Sequence, residues 1–233
     1  MSLRRFPLLL ALLFALGCAG CGERPTGGPA AAQDPDAALK ALWAKGNLYP
    51  LERGARWTYA ARLGEKRYEI SAKRVGGDVR ERDGRRIRYE FFYGDYGDEI
   101  PDAIKSIVAA PQEGPEEFYF DAFDFSVHHD PPVALLPKEP KVGARWTWTG
   151  SFDVEPGPDA LPNQTTTLEV KTVEAVETRD GPIDAVRIDE QGEGFLLSRW
   201  FAPGIGIVRY RFDGTFDGTR VDFDLTLTSF EAP

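Results

Sequence analysis

The sequence predicts a mainly β fold: an antiparallel, strongly curved sheet or half-barrel, built from two related units and preceded by a short N-terminal helix. Three observations predict it. Apolar and polar residues alternate with a period of two along several segments, a six-residue segment recurs in the second half of the chain, and no long stretch has the 3.6-residue period of an amphipathic helix. Of the 233 residues, 42% are hydrophobic and 12% are aromatic, which suffices for a buried core.

A short helix is predicted at the start of the domain. Asp34 is a favourable N-cap residue, and Pro35 suits the first helical position because an N–H there would have no helical partner. Leu39, Leu42 and Trp43 then fall on one face of the helix. This spacing is typical of an amphipathic helix that packs its apolar face on a core.

The alternating segments predict strands with one face on a core and the other in water. In the first of them, Tyr68, Ile70 and Ala72 alternate with charged or hydroxyl side chains. Two further segments alternate in the same way, and they are residues 86–93 and 221–228. Asp-Gly pairs, which favour tight hairpin turns, stand at residues 83–84, 180–181 and 217–218.

An internal repeat predicts that the sheet is built twice. The segment Gly-Ala-Arg-Trp-Thr-Tyr at residues 54–59 returns as Gly-Ala-Arg-Trp-Thr-Trp at residues 143–148. Five of the six residues are identical and the sixth stays aromatic. Because such an identity is rare by chance when it includes tryptophan, we expect two related units over about residues 47–135 and 136–233.

The first residues predict a secretory signal. Arg4 and Arg5 precede an apolar stretch, Phe6 to Gly17, that is too short to span a bilayer comfortably, since a spanning helix takes about twenty residues. The stretch ends in Leu16-Gly17-Cys18, with a small residue before the cysteine. This arrangement resembles the lipobox of bacterial lipoproteins, in which the cysteine receives the lipid.

The resemblance implies a signal peptide over residues 1–17 and lipidation at Cys18. Cys21, which follows Gly20, is the alternative site, but Cys18 would then occupy a position where the lipobox has an aliphatic residue. A plain secretory signal with incidental cysteines is the weaker alternative, because the remaining chain has no cysteine.

The residues after the cysteine predict a flexible tether, and the lipobox resemblance implies a location in the cell envelope. Residues 18–36, rich in Gly, Pro and Ala after the cysteine, predict a flexible tether, and the β domain then spans residues 37–233. The expected partner is a membrane, reached through the N-terminal lipid, with the domain on the periplasmic side of the cell envelope. Ala19 stands where an Asp implies inner-membrane retention in some bacteria, which favours the outer membrane.

Two further segments carry a family resemblance. Residues 49–59 read Tyr-Pro-Leu-Glu-Arg-Gly-Ala-Arg-Trp-Thr-Tyr, and residues 200–209 read Trp-Phe-Ala-Pro-Gly-Ile-Gly-Ile-Val-Arg. Together they resemble the opening and closing motifs of the TapB-like family, bacterial lipoproteins of unknown function, over most of residues 47–230. More distantly, the predicted architecture is similar to the half-barrel of LolA/LolB-type carriers, which bind acyl chains on a concave apolar face. Both resemblances imply a fold rather than a reaction.

The composition excludes several classes of function. A formal net charge of −9 disfavours a nucleic-acid partner, which needs a basic face. His128 and His129 are adjacent, and adjacent strand residues point to opposite faces, so they are poorly placed to chelate one metal ion. The Gly-x-Gly at residues 204–206 lacks the third glycine and the helix of a dinucleotide site and predicts a turn. We therefore expect no catalytic residues, no metal and no cofactor, and a protein that is not an enzyme.

The expected function is that of a non-catalytic binding module in the cell envelope. A sheet that curves over a helix can leave a concave aromatic face for a lipid or another apolar ligand, with Trp57, Trp146 and Trp200 lining or supporting the concavity. The alternative is a structural or assembly lipoprotein with a packed core. It would bind an envelope protein through an acidic outer face that includes Asp222 and Asp224.

Overall fold

The described part of the protein begins with a helix and continues as strands. The structure, a computed structural model, describes residues 34–50, 54–82, 85–95, 104–109, 115–122, 125–137, 139–155, 161–216 and 219–233. In these residues the helix is α1 (Pro35–Trp43). The twelve strands are β1 (Arg56–Leu63), β2 (Lys66–Arg82), β3 (Arg85–Asp95), β4 (Ile104–Ala109), β5 (Glu116–Ala122), β6 (Phe125–Ala134), β7 (Arg145–Glu155), β8 (Leu161–Thr178), β9 (Gly181–Gly192), β10 (Phe195–Ala202), β11 (Gly206–Phe216) and β12 (Thr219–Glu231).

The strands form one antiparallel sheet in which each strand pairs with its neighbours in the sequence. In addition, β1 pairs with β12, so the ladder closes on itself into a barrel. In this closing pair Trp57 lies opposite Phe230, and Leu63 lies opposite Phe223. The prediction of a mainly β, antiparallel fold with one short N-terminal helix is confirmed. The sheet curves further than a half-barrel, and closure leaves neither β1 nor β12 as an open edge.

Helix α1 begins as the sequence predicts. The Asp34 carboxylate accepts a hydrogen bond of 3.0 Å from the backbone N–H of Asp36, and Pro35 takes the first helical position. Leu39 and Leu42 are buried, but Trp43 is 38% exposed. At about 100° per residue, Trp43 lies about 40° from Leu39 on the side away from Leu42, so it stands at the edge of the apolar face, where part of its ring is exposed.

The alternating strands bury the predicted faces. Ile70 and Ala72 are buried in β2, and so are Phe223, Leu225 and Leu227 in β12. The side chains of the third alternating segment, residues 86–93, lie outside the described residues. Because the buried residues of β1, β2, β10, β11 and β12 share one cluster, these strands enclose a common core.

The predicted turns and units map onto strand boundaries. Gly181 has a φ of +114° where β8 gives way to β9, as the Asp-Gly pair predicts; residues 83–84 and 217–218 lie outside the described residues. Gly54 and Gly143, which open the two copies of the repeat, have φ values of +92° and +81° just before β1 and β7. The relatedness of the two units stays a prediction.

A row of aromatic rings covers strand glycines. We call it the aromatic band, and its members are Trp148, Phe152, Phe195 and Phe212. The first two rings stack at 4.8 Å between centroids and the last two at 5.7 Å. A Cβ atom at Gly192 would lie 2.2 Å from the Phe195 ring, and one at Gly150 would lie 2.5 Å from the Trp148 ring. The missing side chains thus let the rings lie flat against the strands.

We expect Gly150→Ala to destabilise the protein by about 1–3 kcal/mol, since a Cβ there would also lie 2.4 Å from the backbone carbonyl oxygen of Asp130, which cannot rotate away. Urea unfolding followed by tryptophan fluorescence measures the change. Thr147→Ala, at an exposed position of the same strand, is the matched control and should change the free energy of unfolding by about 0.5 kcal/mol or less. Equal stability of the Gly150→Ala and Thr147→Ala proteins would contradict the steric argument.

Candidate functional site

The predicted opening and closing motifs contact each other. The Trp57 indole N–H donates a hydrogen bond of 2.8 Å to the carbonyl of Ile205, and the Tyr59 hydroxyl donates one of 2.9 Å to the carbonyl of Ile207. Strand β10 ends at Ala202 and β11 begins at Gly206, so the Gly-x-Gly lies in the predicted turn. The two motifs therefore form one hydrogen-bonded contact between β1 and the β10–β11 turn, which we call the structural lock.

The residues before β1 complete this lock. The backbone N–H of Gly204 donates a hydrogen bond of 2.8 Å to the carbonyl of Asn47. The ring centroids of Tyr49 and Phe201 lie 6.0 Å apart, in a tilted arrangement. The Tyr-Pro opening thus packs on the Trp-Phe closing element, which gives both motifs a role in stability.

Trp57, Trp146 and Trp200, which we predicted to line or support one concavity, do not all belong to the same core cluster. Trp57 and Trp200 are buried in the cluster shared by β1 and β10–β12, whereas the half-buried Trp146 packs against a second cluster around Leu168. Each indole N–H has an acceptor within the protein. For Trp146 the acceptor is the carbonyl of Ala134, at 2.9 Å. Ligand binding by these three residues stays a prediction.

Trp200 lies between two guanidinium groups. Arg187 and Arg209 stand 5.2 and 5.1 Å from its ring centroid. Arg187 pairs with Asp189 at 2.7 Å, and Arg209 pairs with Asp224 at 2.7 Å. Such stacked arginines shield the indole from water while their charges remain paired.

Acidic residues of the predicted outer face are also paired. Asp222 accepts two hydrogen bonds of 2.9 Å from the Arg62 guanidinium, which hold the pKa of Asp222 below its ordinary value. Asp213 pairs with Arg220 at 2.9 Å. A partner that approached Asp222 or Asp224 would therefore meet arginine–carboxylate pairs rather than free negative charge.

A buried ion cluster lies in the barrel interior. Arg199, whose side chain is 2% exposed, donates to Glu190 at 2.7 Å and to Glu117 at 3.2 Å. The Thr166 hydroxyl donates to the other oxygen of Glu190 at 3.0 Å. We call Glu117, Thr166, Glu190 and Arg199 the interior ion cluster. It joins β5, β8, β9 and β10 through a single guanidinium.

The electrostatics of the interior ion cluster favour the charged form of Arg199. Burial opposes the charge on Arg199, but Glu190 and Glu117 outweigh it, and the pKa of Arg199 is raised above its ordinary value. Burial raises the pKa of Tyr210, whose ring lies 5.7 Å from the Arg199 guanidinium. Both carboxylates bind the arginine and lie out of contact with solvent, which favours a structural role.

The two histidines differ in environment. His128 is exposed, whereas His129 packs edge-on against the rings of Trp148 and Phe152, at 5.8 and 5.3 Å. Burial lowers the pKa of His129 to about 4, and its Nδ1 atom has no hydrogen-bond partner among the described residues. No group of three or more potential metal-ligating side chains occurs in the described part of the chain.

A polar concavity lies on the outer surface of β12, β1 and β2. We call it the outer recess; its volume is about 280 Å³, and its lining residues are Arg56, Trp57, Thr58, Ser71, Ala72, Lys73, Ser229 and Glu231. The register places Arg56 between Glu231 and Lys73 on the neighbouring strands. This site could not be predicted from the sequence, because its polar residues come from three separate strands and have the composition of an ordinary solvated face.

Membrane-spanning helices are not found in the described part of the chain: none of its helical residues forms a segment long and apolar enough to cross a bilayer.

Comparisons with known proteins give solved structures of low sequence identity and no family. No protein-family model matches the chain, and no curated protein matches it in sequence. A protein of Bacteroides fragilis, named as an exported protein with YmcC-like fold, is 12% identical over 78% of this chain and 98% of its own, with a TM-score of 0.47. A protein of Parabacteroides distasonis, named as a lipoprotein, is 11% identical over 79% and 98%, with a TM-score of 0.39.

The third solved structure is the hypothetical lipoprotein YmcC of Escherichia coli. It is 11% identical, covers 85% of this chain and 94% of its own, and has a TM-score of 0.41. The TapB-like and LolA/LolB-type resemblances stay predictions from the motifs. What this chain does has to follow from its own residues.

We expect Arg199→Met to destabilise the protein at pH 7 by about 3–5 kcal/mol, because it leaves two buried carboxylates without their cation. The triple variant Arg199→Met/Glu117→Gln/Glu190→Gln should regain part of that loss, since it removes the uncompensated charge. Denaturant unfolding measures all three proteins. Arg211→Met, at an exposed position of the adjacent strand, is the control and should leave the free energy of unfolding nearly unchanged. A triple variant no more stable than Arg199→Met would argue against the ionic explanation.

The buried imidazole of His129 predicts a pH dependence of stability. Its pKa in the folded protein, about 4, lies below the ordinary value of 6.5, so the unfolded chain takes up the proton first as the pH falls. The stability contribution is complete above about pH 6.5 and is lost progressively toward pH 4, by up to about 3 kcal/mol. His129→Gln should flatten this part of the curve in urea titrations, and His128→Gln should not. A curve unchanged in His129→Gln would show that other groups cause the acid sensitivity.

Proposed function

We propose that this protein is a lipid-anchored, non-catalytic component of the bacterial cell envelope that binds its partners on the outside of a packed barrel. The anchor is Cys18, and the barrel stands on the periplasmic side of the membrane, with the outer membrane favoured by Ala19. The observation that carries the binding mode is the close packing of the described core residues. The largest fully buried side chains include Arg199, Phe201 and Phe223.

The filled interior favours the packed-core alternative over an apolar ligand inside the sheet. Ile70, Leu168 and Ile188, like the residues around them, are buried in continuous clusters in the described strands. An acyl chain entering there would have to displace close-packed side chains or separate the interior ion cluster, and both cost several kcal/mol. An external site requires neither change.

The packed-core alternative placed the protein partner on an acidic outer face, but the carboxylates of that face are paired with arginines. Asp222 and Asp224 are held by Arg62 and Arg209, which argues against a general acidic contact surface. In the outer recess, by contrast, no ion pair involves the charged side chains of Arg56, Lys73 or Glu231 within the described structure, and these groups are exposed. This makes the outer recess the better-supported binding surface.

The anchor is tested by intact mass spectrometry and membrane fractionation of the natural chain and two matched variants. We expect the natural protein and Cys21→Ser to carry a diacylglyceryl group and an N-acyl chain on Cys18 and to sediment with membranes. Cys18→Ser should lack both properties. Loss of the lipid in Cys21→Ser but not in Cys18→Ser would move the anchor by three residues along the sequence. An unlipidated natural protein would overturn the proposal.

The packed interior is tested on the same Cys18→Ser protein, which has no acyl chains of its own. Titration with a fluorescent fatty acid should give no saturable binding, because an acyl chain would have to displace the close-packed side chains of the described core clusters. Saturable binding near one equivalent, displaced by unlabelled fatty acid, would instead support the carrier function.

A further inference from the structure

We propose that the outer recess binds a phosphate group linked to a primary ammonium, as in phosphoethanolamine. This inference rests on the proposed function only in placing the binding surface outside the barrel. It starts from the order of charges across three adjacent strands. Glu231 on β12, Arg56 on β1 and Lys73 on β2 lie side by side in the register. Neighbouring strands stand about 4.8 Å apart, so the row runs from one negative to two positive groups over about 10 Å.

Hydroxyl groups form a second row beside the charges. Ser229, Thr58 and Ser71 face one another on the same three strands, and all three line the outer recess. Serine and threonine hydroxyls can both donate and accept hydrogen bonds. They can therefore complete the contacts to phosphate oxygens that Arg56 and Lys73 begin.

A β-bulge gives this surface its concavity. The register between β1 and β12 shifts between Thr58 and Tyr59, where Thr58 faces Ser229 and Tyr59 faces Leu227. Thr228 is the extra residue, and its hydroxyl donates a hydrogen bond of 3.0 Å to the carbonyl of Thr58. Bulges bend a strand and redirect its side chains, and they are frequent beside binding sites.

The charges of the outer recess select the ligand. Arg56 and Lys73 together favour an anion with more than one negative oxygen, and Glu231 at the end of the row favours a cation. A primary ammonium can donate hydrogen bonds to Glu231, whereas the trimethylated nitrogen of phosphocholine cannot. The volume of about 280 Å³ suits a small polar group and not a whole lipid.

The net charge of the chain makes a local site necessary for such binding. Loss of the signal peptide with Arg4 and Arg5 takes the formal net charge from −9 to −11. A protein of that charge is repelled by anionic surfaces in general. Attraction of a phosphate group must therefore come from a local pair of cations such as Arg56 and Lys73.

Calorimetric titration of the full mature chain with Cys18→Ser tests the proposal, with O-phosphoethanolamine, phosphocholine and inorganic phosphate as probes. We expect saturable binding of O-phosphoethanolamine, tighter than that of the other two probes. Arg56→Ala and Lys73→Ala should each weaken it about tenfold or more, since each removes a charge-assisted contact. Glu231→Gln should weaken the binding of O-phosphoethanolamine and leave the binding of inorganic phosphate unchanged. Lys66→Ala, an exposed lysine of β2 outside the recess, is the matched control.

Vesicle flotation distinguishes a lipid headgroup from a soluble ligand as the source of the phosphoethanolamine group. Binding of the same protein to phosphatidylethanolamine vesicles but not to phosphatidylcholine vesicles, lost in Lys73→Ala, would identify a lipid headgroup. Binding of soluble O-phosphoethanolamine alone would identify a free metabolite or a modified glycan; both results support the site. The proposal would be overturned by no saturable binding of O-phosphoethanolamine. It would also be overturned if inorganic phosphate bound as tightly as O-phosphoethanolamine and Glu231→Gln left the binding of O-phosphoethanolamine unchanged. The lipidation and fatty-acid experiments would be unaffected, so failure here is distinguishable from failure of the proposed function.

Discussion

The rest of the barrel depends on one buried arginine. Arg199 binds carboxylates from β5 and β9 at once, and through Glu190 it also reaches Thr166 on β8. Burying three charged groups is costly, and the cost is offset only when every partner is in place. The interior ion cluster therefore admits few alternative strand arrangements.

A second constraint fixes the two ends of the sheet to each other. The opening motif supplies Trp57 and Tyr59, and the closing motif supplies the carbonyl groups that accept their hydrogen bonds. Because the acceptors are backbone carbonyls, which every residue has, these bonds fix the path of the β10–β11 turn and not the identity of its residues. The motifs that resemble a lipoprotein family are thus understandable as structural elements, without any reaction.

Local physics explains which features could be predicted. The N-cap at Asp34, the alternation in β2 and β12, and the turn at Gly181 depend on residues close together in the sequence. Closure of the sheet depends on the pairing of β1 with β12, for which no local pattern exists. Only one feature of the sequence indicated the interior ion cluster, namely the arginine within the apolar segment of β10. The outer recess had none, because its charged residues meet only through the register of three strands.

Closure of the barrel has a consequence for how the chain folds. Strand β12 comes last in the described ladder, and without it β1 would be left unpaired on one side. Because pairings between strands far apart in the sequence form slowly, β1 lacks one of its two neighbours until β12 has been synthesised and has folded. Until then the backbone edge of β1 is open to pairing with the strands of other chains.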